Sequence, residues 1–382
     1  MADPATFGAP RVLFGTVHTA SGHRFGHATL NAPASLNALS LEMVDLLDAQ
    51  LAAWSSDPSV VGVVLDASGD KAFCAGGDIV GLYRAIRETP AGEVPAAAAR
   101  LFEREYRLDH RIHTYPKPIL CWAHGLVMGG GVGLMAGASH RVATPETRLS
   151  MPEISIGLYP DVGSSWLLPR LPGRLGLFVA LTGAPLNALD TRLAGLADVV
   201  IAHDRRASVL AGLAAAHWQG ERTPDAAQLS RLLAERSADE ASLAPSRLWQ
   251  HRQLIDEAVG HASLAEIARR LTALADADDG WLASAGRTFA KGSPTSAALS
   301  FELQRRAGDL SLADAFRLEW QASVGCCLHH DFAEGIRALL IDKDKQPRWQ
   351  PATLAEVTPK HLEAHLRPKA LGGAAHPLAD LA

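Results

Sequence analysis

Two carboxylates and two glycine turns are the residues of this sequence whose types and spacing could do chemistry. Glu153 and Asp161 lie eight residues apart in a segment otherwise almost free of charge. The turns are Ala75-Gly76-Gly77-Asp78 and Met128-Gly129-Gly130-Gly131, each ahead of a predicted helix. Backbone without Cβ atoms lets a ligand approach closely, and the start of a helix leaves N–H groups without partners. Such groups bind an anion or a transient oxyanion, and carboxylates beside them indicate acyl chemistry.

Three other interpretations of residues 119–138 stay open from the residues alone. The stretch contains no Asp, Glu, Lys or Arg and is long enough to span a bilayer, although its glycines and His124 suit lipid poorly. The run from Gly131 to Ala136 also matches the dinucleotide-binding fingerprint G-x-G-x-x-G/A, with Glu153 at about the expected distance. That acid should end a strand, whereas Glu153 follows Met151-Pro152. The third interpretation is a turn that only permits tight packing.

Composition restricts the class of protein. The 382 residues are long enough for one large core plus a second unit, and they are 48% apolar and 20% charged. A net charge of −5 gives no footprint for nucleic acid or an anionic membrane. The N-terminus lacks the features of a signal or transit peptide, and the cysteines show no metal-ligand spacing, which suits a reducing compartment. We therefore expect a cytoplasmic protein without a metal site.

The pattern of apolar residues predicts an α/β unit at residues 11–203. Two strands joined by Ser21-Gly22 precede a helix capped by Ser40, and a buried strand follows. The buried strand after this helix is expected at 60–65. Each glycine turn lies between a predicted strand and the helix that follows it, so the two turns have equivalent places in successive strand–helix units. Both turns would direct backbone N–H groups outward from the same end of the sheet. Further expected elements are a strand (119–123), two helices (from 79, and 101–112), a flexible loop (90–99) and an irregular segment (150–169).

Helices dominate the prediction for residues 204–382. Helix-start signals recur there, in two Ser/Thr-Pro pairs and two capping boxes: Thr223-Pro224, Ser293-Pro294, Ser263 to Glu266 and Ser311 to Asp314. We predict a helical region that packs on the α/β unit. The group His329-His330-Asp331 in this region is expected to be structural.

Three motifs resemble the crotonase (enoyl-CoA hydratase/isomerase) superfamily. They are Ala72-Phe73-Cys74-Ala75-Gly76-Gly77-Asp78-Ile79, His124-Gly125-Leu126-Val127-Met128-Gly129-Gly130-Gly131 and Met151-Pro152-Glu153. The run Gly157-Leu158-Tyr159-Pro160-Asp161-Val162-Gly163 resembles its 3-hydroxyisobutyryl-CoA hydrolase branch, as do Asp331 to Ala338, Ile341 to Asp344 and Trp349. The resemblance extends from about residue 11 to residue 365.

This resemblance implies a fold and an acyl-CoA site. The fold would be a spiral of ββα turns, followed here by the helical C-terminal region. The thioester carbonyl would accept hydrogen bonds from the backbone N–H groups of Gly77 and Gly130. The loop comprising Ala75, Gly76, Gly77, Asp78 and Ile79 would also line the CoA adenine site. Glu105 matches a substrate-contacting glutamate of the hydrolase branch, whereas the residues alone favour a solvated helix face for Glu103 and Glu105.

One departure from the family pattern bears on the reaction. Hydratases hold the added water with two glutamates; one matches Glu153, and the other falls where this chain has Gly133. The expected function is therefore hydrolysis of a short β-hydroxyacyl-CoA, with 3-hydroxyisobutyryl-CoA as the favoured substrate. Glu153 would be the nucleophile or general base, and Asp161 would bind the β-hydroxyl or orient water and Glu153.

Two other functions stay open. One is a hydratase or isomerase that uses Glu153 alone, and the other is a CoA-binding protein without catalysis. Two carboxylates in an apolar loop argue against the non-catalytic CoA-binding protein, because a protein that only binds CoA gains nothing from them. We expect no cofactor apart from the CoA of the substrate and no nucleic-acid or membrane partner, and self-association stays open.

Overall fold

The computed structural model describes residues 10–373 and 375–382. Nine strands lie in these ranges: β1 (Val12–His18), β2 (Arg24–Leu30), β3 (Val60–Ala67), β4 (Ala72–Cys74), β5 (Ile119–Ala123), β6 (Leu126–Met128), β7 (His140–Ala143), β8 (Arg148–Ser150) and β9 (Val199–Val200).

Seven α-helices lie between residues 10 and 200: α1 (Leu41–Ser56), α2 (Ile79–Glu88), α3 (Ala96–His113), α4 (Gly130–Ala136), α5 (Ser164–Leu167), α6 (Leu175–Thr182) and α7 (Ala188–Leu193). Ten more follow: α8 (Arg206–Ala215), α9 (Arg222–Ala234), α10 (Arg247–Gln250), α11 (Arg252–Val259), α12 (Leu264–Ala273), α13 (Gly280–Lys291), α14 (Pro294–Ala307), α15 (Leu312–Leu328), α16 (His330–Ile336) and α17 (Pro359–Leu366).

Single turns of 3-10 helix occur at Pro33–Ser35, Glu153–Ile156, Leu168–Arg170, His203–Arg205, Glu240–Ser242, Leu274–Asp276, Leu354–Glu356 and Lys369–Leu371, and a π-helical turn occurs at Arg337–Ile341. Within the two described ranges, no helix has both the length and the apolar character that crossing a bilayer requires. Residues 119–138, which could span one by length, instead fold as β5, β6 and α4.

Two sheets wind together into a spiral. The larger has the strand order β1-β2-β3-β5-β7-β9, antiparallel between β1 and β2 and parallel elsewhere. The smaller is the parallel sheet β4-β6-β8. Successive pairs of strands place one member in each sheet, and β4 and β6 each lead through a glycine turn into a helix. The α/β class and the crotonase-like spiral expected above are confirmed.

The three short strands of the smaller sheet were missed by the sequence analysis. Each has three residues, too few for an alternating pattern to be recognised. The segment before the first glycine turn therefore contains β4, and the predicted strand at 119–123 is followed by β6 before its glycines. The predicted flexible loop at 90–99 is also partly wrong, because α3 begins at Ala96 with Ala98 fully buried.

The helix starts were predicted with mixed success. Ser40, Ser293 and Ser311 each accept a hydrogen bond from the backbone N–H three residues on, as expected. Thr223 was predicted as an N-cap with Pro224 as the first helical residue, but the helix begins at Arg222 with Glu221 as its N-cap, because a proline in the first turn needs no N–H and does not fix the start. Ser263 is an N-cap without a side-chain hydrogen bond.

Residues on both sides of position 203 contribute to one contiguous group of buried apolar side chains, from Val12 to Leu378. Helix α15 packs against α3, and α16 packs against α2 and the turn at Glu153–Ile156. The C-terminal helices therefore lie against the parts of the α/β unit that carry the predicted site. The boundary at 203/204 stays a prediction.

Candidate active site

The two glycine turns lie against each other. Gly76 has φ +106° and Gly129 has φ +47°, conformations that side chains rarely adopt. A Cβ on Gly76 would lie 3.5 Å from the carbonyl oxygen of Met128, and one on Gly129 would lie 3.5 Å from the Cα of Gly76. The positive φ angles thus let the chain turn sharply from each strand, β4 or β6, into the helix that follows it. The two turns lie next to each other.

The backbone N–H of Gly77 has no partner within the described ranges. Its neighbours are both engaged, since Gly76 accepts from the N–H of Leu39 and Asp78 donates to the carbonyl of Leu39, each at 2.8 Å. A Cβ on Gly77 would meet no atom within 4 Å. This N–H therefore stands at an open part of the turn.

The N–H of Gly130 is likewise unpaired among the residues described. Gly130 is the first residue of α4, and the carbonyl of Gly129 already accepts from Val132 and Gly133. An N–H in the first turn of a helix has no acceptor inside the helix. Among the described residues, an N–H group without a partner thus follows each of the two adjacent glycines Gly76 and Gly129. That the two groups hold an oxyanion stays a prediction.

Glu153 lies against the second turn. It opens the 3-10 turn after Met151-Pro152 and is 5% exposed. Its Oε1 would be 3.2 Å from a Cβ on Gly129, and its Oε2 has no partner among the described residues. Burial, and next the charge of Asp161, raise the pKa of Glu153 well above its ordinary value. The carboxyl is therefore a strong base once ionised.

Asp161 is held by a hydrogen bond from helix α3, which is linked in turn to helix α15. The hydroxyl of Tyr106 on α3 donates to its Oδ2 at 2.6 Å. The Oγ of Ser323 on α15 lies 2.8 Å from the hydroxyls of both Tyr106 and Tyr159. Burial raises the pKa of Asp161 to about 6, against the opposing effect of the bond from Tyr106. Asp161 is thus a buried carboxyl that ionises near neutrality.

Glu319 holds the loop that follows Asp161. Its two carboxyl oxygens accept from the backbone N–H groups of Gly163 at 2.7 Å and Ser165 at 2.8 Å. Burial, and next the charge of Asp161, raise its pKa to about 8. Tyr106, Ser323 and Glu319 were not predicted from the sequence, because nothing local marks a partner so far along the chain.

Helix α3 presents two further buried carboxyls to the site. Glu105 is 4% exposed, and its Oε1 has no partner in the described ranges and lies only 2.3 Å from where a Cβ on Gly130 would be. The solvated-face alternative is therefore wrong for Glu105, whose pKa is raised to about 8 by burial and by Asp161. Asp109, one turn on, was missed. Its signal was available, since Glu105 and Asp109 share an i, i+4 spacing with the apolar face of α3.

The loop predicted to line the adenine site has structural partners. Ala75 donates to the carbonyl of Leu36 at 3.0 Å, and Ile79 donates to that of Gly77 at 2.9 Å. The exposed Asp78 caps α2 through the N–H of Gly81. Beside the loop lies a hollow of about 250 Å³ lined by Leu36 and residues 68–72, among others.

The histidine group near the C-terminus lies in a structural setting. Asp331 accepts from the hydroxyl of Ser293 at 2.6 Å and the N–H of Gln350 at 2.8 Å, and His329 stacks on His365. Across residues 10–373 and 375–382, no three His, Cys, Asp or Glu side chains are arranged to hold a metal ion.

The enoyl-CoA hydratase/isomerase family model matches residues 25–366. The chain belongs to this family. Among curated relatives, it is 40% identical over 339 residues to the mitochondrial 3-hydroxyisobutyryl-CoA hydrolase of Danio rerio, covering 88% of this chain and 86% of that protein. It is 35% identical over 347 residues to the enzyme of the same name from Homo sapiens, covering 90% and 86%. These are the family and the branch that the sequence motifs indicated.

Solved structures of the family have the same fold. A carnitinyl-CoA dehydratase from Mycobacterium thermoresistibile is 36% identical, with a TM-score of 0.82 over 94% of this chain and 97% of that one. An enoyl-CoA hydratase from Rhodobacter sphaeroides 2.4.1 is 35% identical, with a TM-score of 0.79 over 94% and 98%. Both of these proteins are named for reactions other than thioester hydrolysis, and the fold alone therefore does not decide the reaction.

Proposed function

We propose that this protein hydrolyses a short β-hydroxyacyl-CoA, with 3-hydroxyisobutyryl-CoA as the favoured substrate. The observation that carries the proposal is the pair of unused N–H groups of Gly77 and Gly130 beside the buried, partly unpartnered carboxyl of Glu153. Relatives at 34–40% identity named as hydrolases of this thioester support the choice of substrate.

The two N–H groups would hold the thioester oxygen. As the carbonyl carbon becomes tetrahedral, negative charge develops on that oxygen, and donors already in place stabilise it without reorganisation. The buried setting strengthens the interaction because little water competes for the donors. Loss of one such donor typically reduces turnover about 100- to 1,000-fold.

Glu153 would supply the attack. In one route its carboxylate adds to the carbonyl carbon, the C–S bond breaks and CoA leaves as the thiolate; water then hydrolyses the acyl anhydride. In the other, Glu153 takes a proton from a water whose oxygen attacks, and CoA leaves with a proton. Burial without a hydrogen-bond partner makes the ionised carboxyl more reactive in both routes, and both remain open.

Asp161 would orient Glu153 and the water. One of its oxygens is already engaged by the hydroxyl of Tyr106, and its charge acts on the pKa of Glu153. The hydrogen bond and the effect on the pKa both favour Asp161 as a residue that positions Glu153 and adjusts its pKa, rather than one that contacts the acyl chain of the substrate.

Hydration of an enoyl-CoA is the alternative reaction. A second glutamate is missing at Gly133, but the carboxyl of Asp109 reaches that place from α3, 2.9 Å from where a Cβ would lie. Burial, together with the charges of Glu105, Asp161 and Glu319, raises the pKa of Asp109 well above its ordinary value. Asp109 comes from a different helix than the glutamate of the hydratase pattern, and the absence of that glutamate at Gly133 favours hydrolysis over hydration.

The remaining assignments are proposals of the same kind. The loop from Ala75 to Ile79 would receive the CoA adenine, and Glu105 would contact the acyl part. No cofactor beyond the CoA of the substrate is needed for this chemistry. We keep the cytoplasm as the proposed compartment, while the curated relatives are named as mitochondrial proteins. Self-association remains open.

The test compares two reactions in one sample. Free thiol release from 3-hydroxyisobutyryl-CoA and 3-hydroxypropionyl-CoA is followed beside loss of the enoyl absorbance of crotonyl-CoA. We expect release of CoA from the hydroxyacyl substrates and little hydration of crotonyl-CoA. Rapid hydration without CoA release would reverse the choice between the two reactions, and binding without either reaction would leave a CoA-binding protein.

A further inference from the structure

Asp109 is a buried carboxyl without a visible task. It is 0% exposed, and neither Oδ1 nor Oδ2 has a hydrogen-bond partner among the described residues. Most buried polar atoms in folded proteins are paired, because an unpaired one loses its hydration without compensation. The carboxyl groups of Glu319 and Asp161, which lie in the same region, do have partners. Asp109 therefore requires an explanation that the fold does not supply.

Its position is defined by the glycine opposite. A Cβ on Gly133 would lie 2.9 Å from one Asp109 oxygen and 3.0 Å from the other, and 2.7 Å from the Cβ of Val162. The carboxyl thus lies between α4 and the loop that carries Asp161, in space that any side chain at position 133 would fill.

The two buried carboxyl groups of α3 lie opposite two glycines of α4. Glu105 lies opposite Gly130, where the thioester oxygen would be held, and Asp109 lies opposite Gly133. Helices rise about 1.5 Å per residue, and Gly133 is therefore about 4.5 Å along the axis from Gly130. A group on the β-carbon of an acyl thioester is separated from the carbonyl carbon by two C–C bonds of about 1.5 Å and one further bond. The register of the two helices therefore sets Asp109 beyond Gly130 by a step of the same order.

The state of the carboxyl suits a hydroxyl. Burial, then the charges of Glu105, Asp161 and Glu319, raise the pKa of Asp109 and favour its protonated form. A neutral carboxyl group donates one hydrogen bond through its O–H and accepts others through its oxygens. An alcohol hydroxyl also both donates and accepts, and the two groups therefore suit each other. An ionised carboxyl in this place would add a further negative charge to a site that must ionise Glu153.

We propose that Asp109 is a specificity-determining residue that binds the β-hydroxyl of the substrate as an uncharged acid. The proposal rests on the proposed thioester hydrolysis and names the group that selects β-hydroxyacyl over plain acyl chains. It assigns this contact to α3 and leaves Asp161 to orient Glu153.

The experiment compares kcat/KM for 3-hydroxyisobutyryl-CoA with kcat/KM for isobutyryl-CoA, which differ by the hydroxyl alone. The ratio is measured for wild type, Asp109→Asn and Asp109→Leu. The amide of Asn keeps a donor and an acceptor at the same size, whereas Leu removes both. We expect the Leu variant to lower the ratio at least tenfold, and the Asn variant to keep it within about threefold, on the scale of one buried hydrogen bond.

The outcomes separate this inference from the proposed function. A wild type that releases no CoA from either thioester overturns the function and the inference with it. A wild type that prefers the hydroxyacyl thioester, with an unchanged ratio in Asp109→Leu, overturns the inference alone. Equal losses on both substrates in the Leu and Asn variants would make Asp109 structural and would also overturn it.

A spectroscopic test covers the case in which Asp109→Leu does not fold. Difference infrared spectra of the wild type are recorded with CoA plus 3-hydroxyisobutyrate and with CoA plus isobutyrate. We expect the neutral carboxyl band that Asp109→Asn lacks to shift with the hydroxy acid and not with the plain acid. A band that does not respond to the hydroxyl contradicts the proposal.

Discussion

The hydroxyl of Tyr106 donates a 2.6 Å hydrogen bond to Oδ2 of Asp161, which ties the loop bearing the second carboxylate to helix α3. The same hydroxyl lies 2.8 Å from Ser323 on α15. The bond favours the ionised form of Asp161 and opposes the effect of burial on its pKa. The tyrosine thus helps to decide the charge of the site near neutral pH.

Replacing Tyr106 with Phe should raise the pKa of Asp161 above its value of about 6, because the donor that stabilises the carboxylate is removed. Carboxyl-selective ¹³C NMR over a pH series measures this directly, with turnover recorded beside it. Tyr115→Phe is the matched control, since that buried hydroxyl donates to the carbonyl of Leu51 away from the site. An Asp161 that titrates as in wild type would show that the bond does not set its charge.

Glu153→Gln should reduce CoA release at least ~100-fold, the usual scale for a general base, while CoA and the product acid still bind. The amide keeps the size of the side chain but can neither accept the proton nor attack at a useful rate. Steady-state turnover and calorimetric titration measure the two effects, with the exposed Glu146→Gln as control. A variant that keeps more than a tenth of wild-type turnover would make Glu153 structural.

Asp161→Asn should move the acid limb of the kcat/KM profile to lower pH. The negative charge of Asp161 disfavours a second charge on Glu153 and raises its pKa; removing it lets Glu153 ionise at lower pH. Turnover at the plateau should fall less than in Glu153→Gln. An acid limb that stays in place or moves to higher pH would contradict the proposed coupling.

Gly130→Val keeps the backbone N–H, but its β-branched side chain should distort the turn and block the carbonyl from that donor. Turnover should therefore fall about 100- to 1,000-fold, the scale of losing one oxyanion donor. The added Cβ would lie 2.3 Å from Oε1 of Glu105, at the end of a flexible side chain, and the fold should accommodate it. Gly280→Ala is the control, because Gly280 also opens a helix and its Cβ would meet no atom within 4 Å. An active, soluble Gly130→Val protein would place the oxyanion elsewhere.

Glu105→Gln should be more stable than wild type at pH 8, with the difference shrinking toward pH 5. The pKa of Glu105 is about 8 in the folded protein, against an ordinary value of 4.5. Unfolding therefore releases a proton between these values, and wild-type stability falls as pH rises through the window, by up to about 1.4 kcal/mol per pH unit.

Chemical unfolding at a series of pH values measures the free energy of unfolding for this comparison. Glu266→Gln is the control, because hydrogen bonds from Arg269 and Arg270 lower the pKa of Glu266, and its replacement should bring no gain at pH 8. A stability difference for Glu105→Gln that does not change with pH would mean that Glu105 titrates normally.

Local sequence was enough for the parts of the site made by neighbouring residues. The glycine turns follow from residues that tolerate positive φ, and Glu153 follows from a charge in an apolar loop beside them. The caps at Ser40, Ser293 and Ser311 follow from hydrogen bonds that reach only three residues.

The rest depends on contacts between distant residues. Glu319 lies in a long helix whose sequence shows nothing of the two N–H groups it accepts from, because those belong to the loop at Gly163 and Ser165. Asp109 could be noticed as a carboxyl on an apolar face, but its place opposite Gly133 depends on how α3 packs on α4. Such placements arise from tertiary packing, which no short sequence window contains.

The hydrogen bonds that Glu319 accepts also have a consequence for the growing chain. Glu319 is synthesised 156 residues after Gly163, whose N–H it accepts. At roughly 5–20 residues per second, this acceptor follows the loop by on the order of ten seconds. Until then the loop lacks its anchor, and a nascent chain that ends before α15 cannot hold Asp161 in place. Translation itself thus sets the earliest moment at which the site can be assembled.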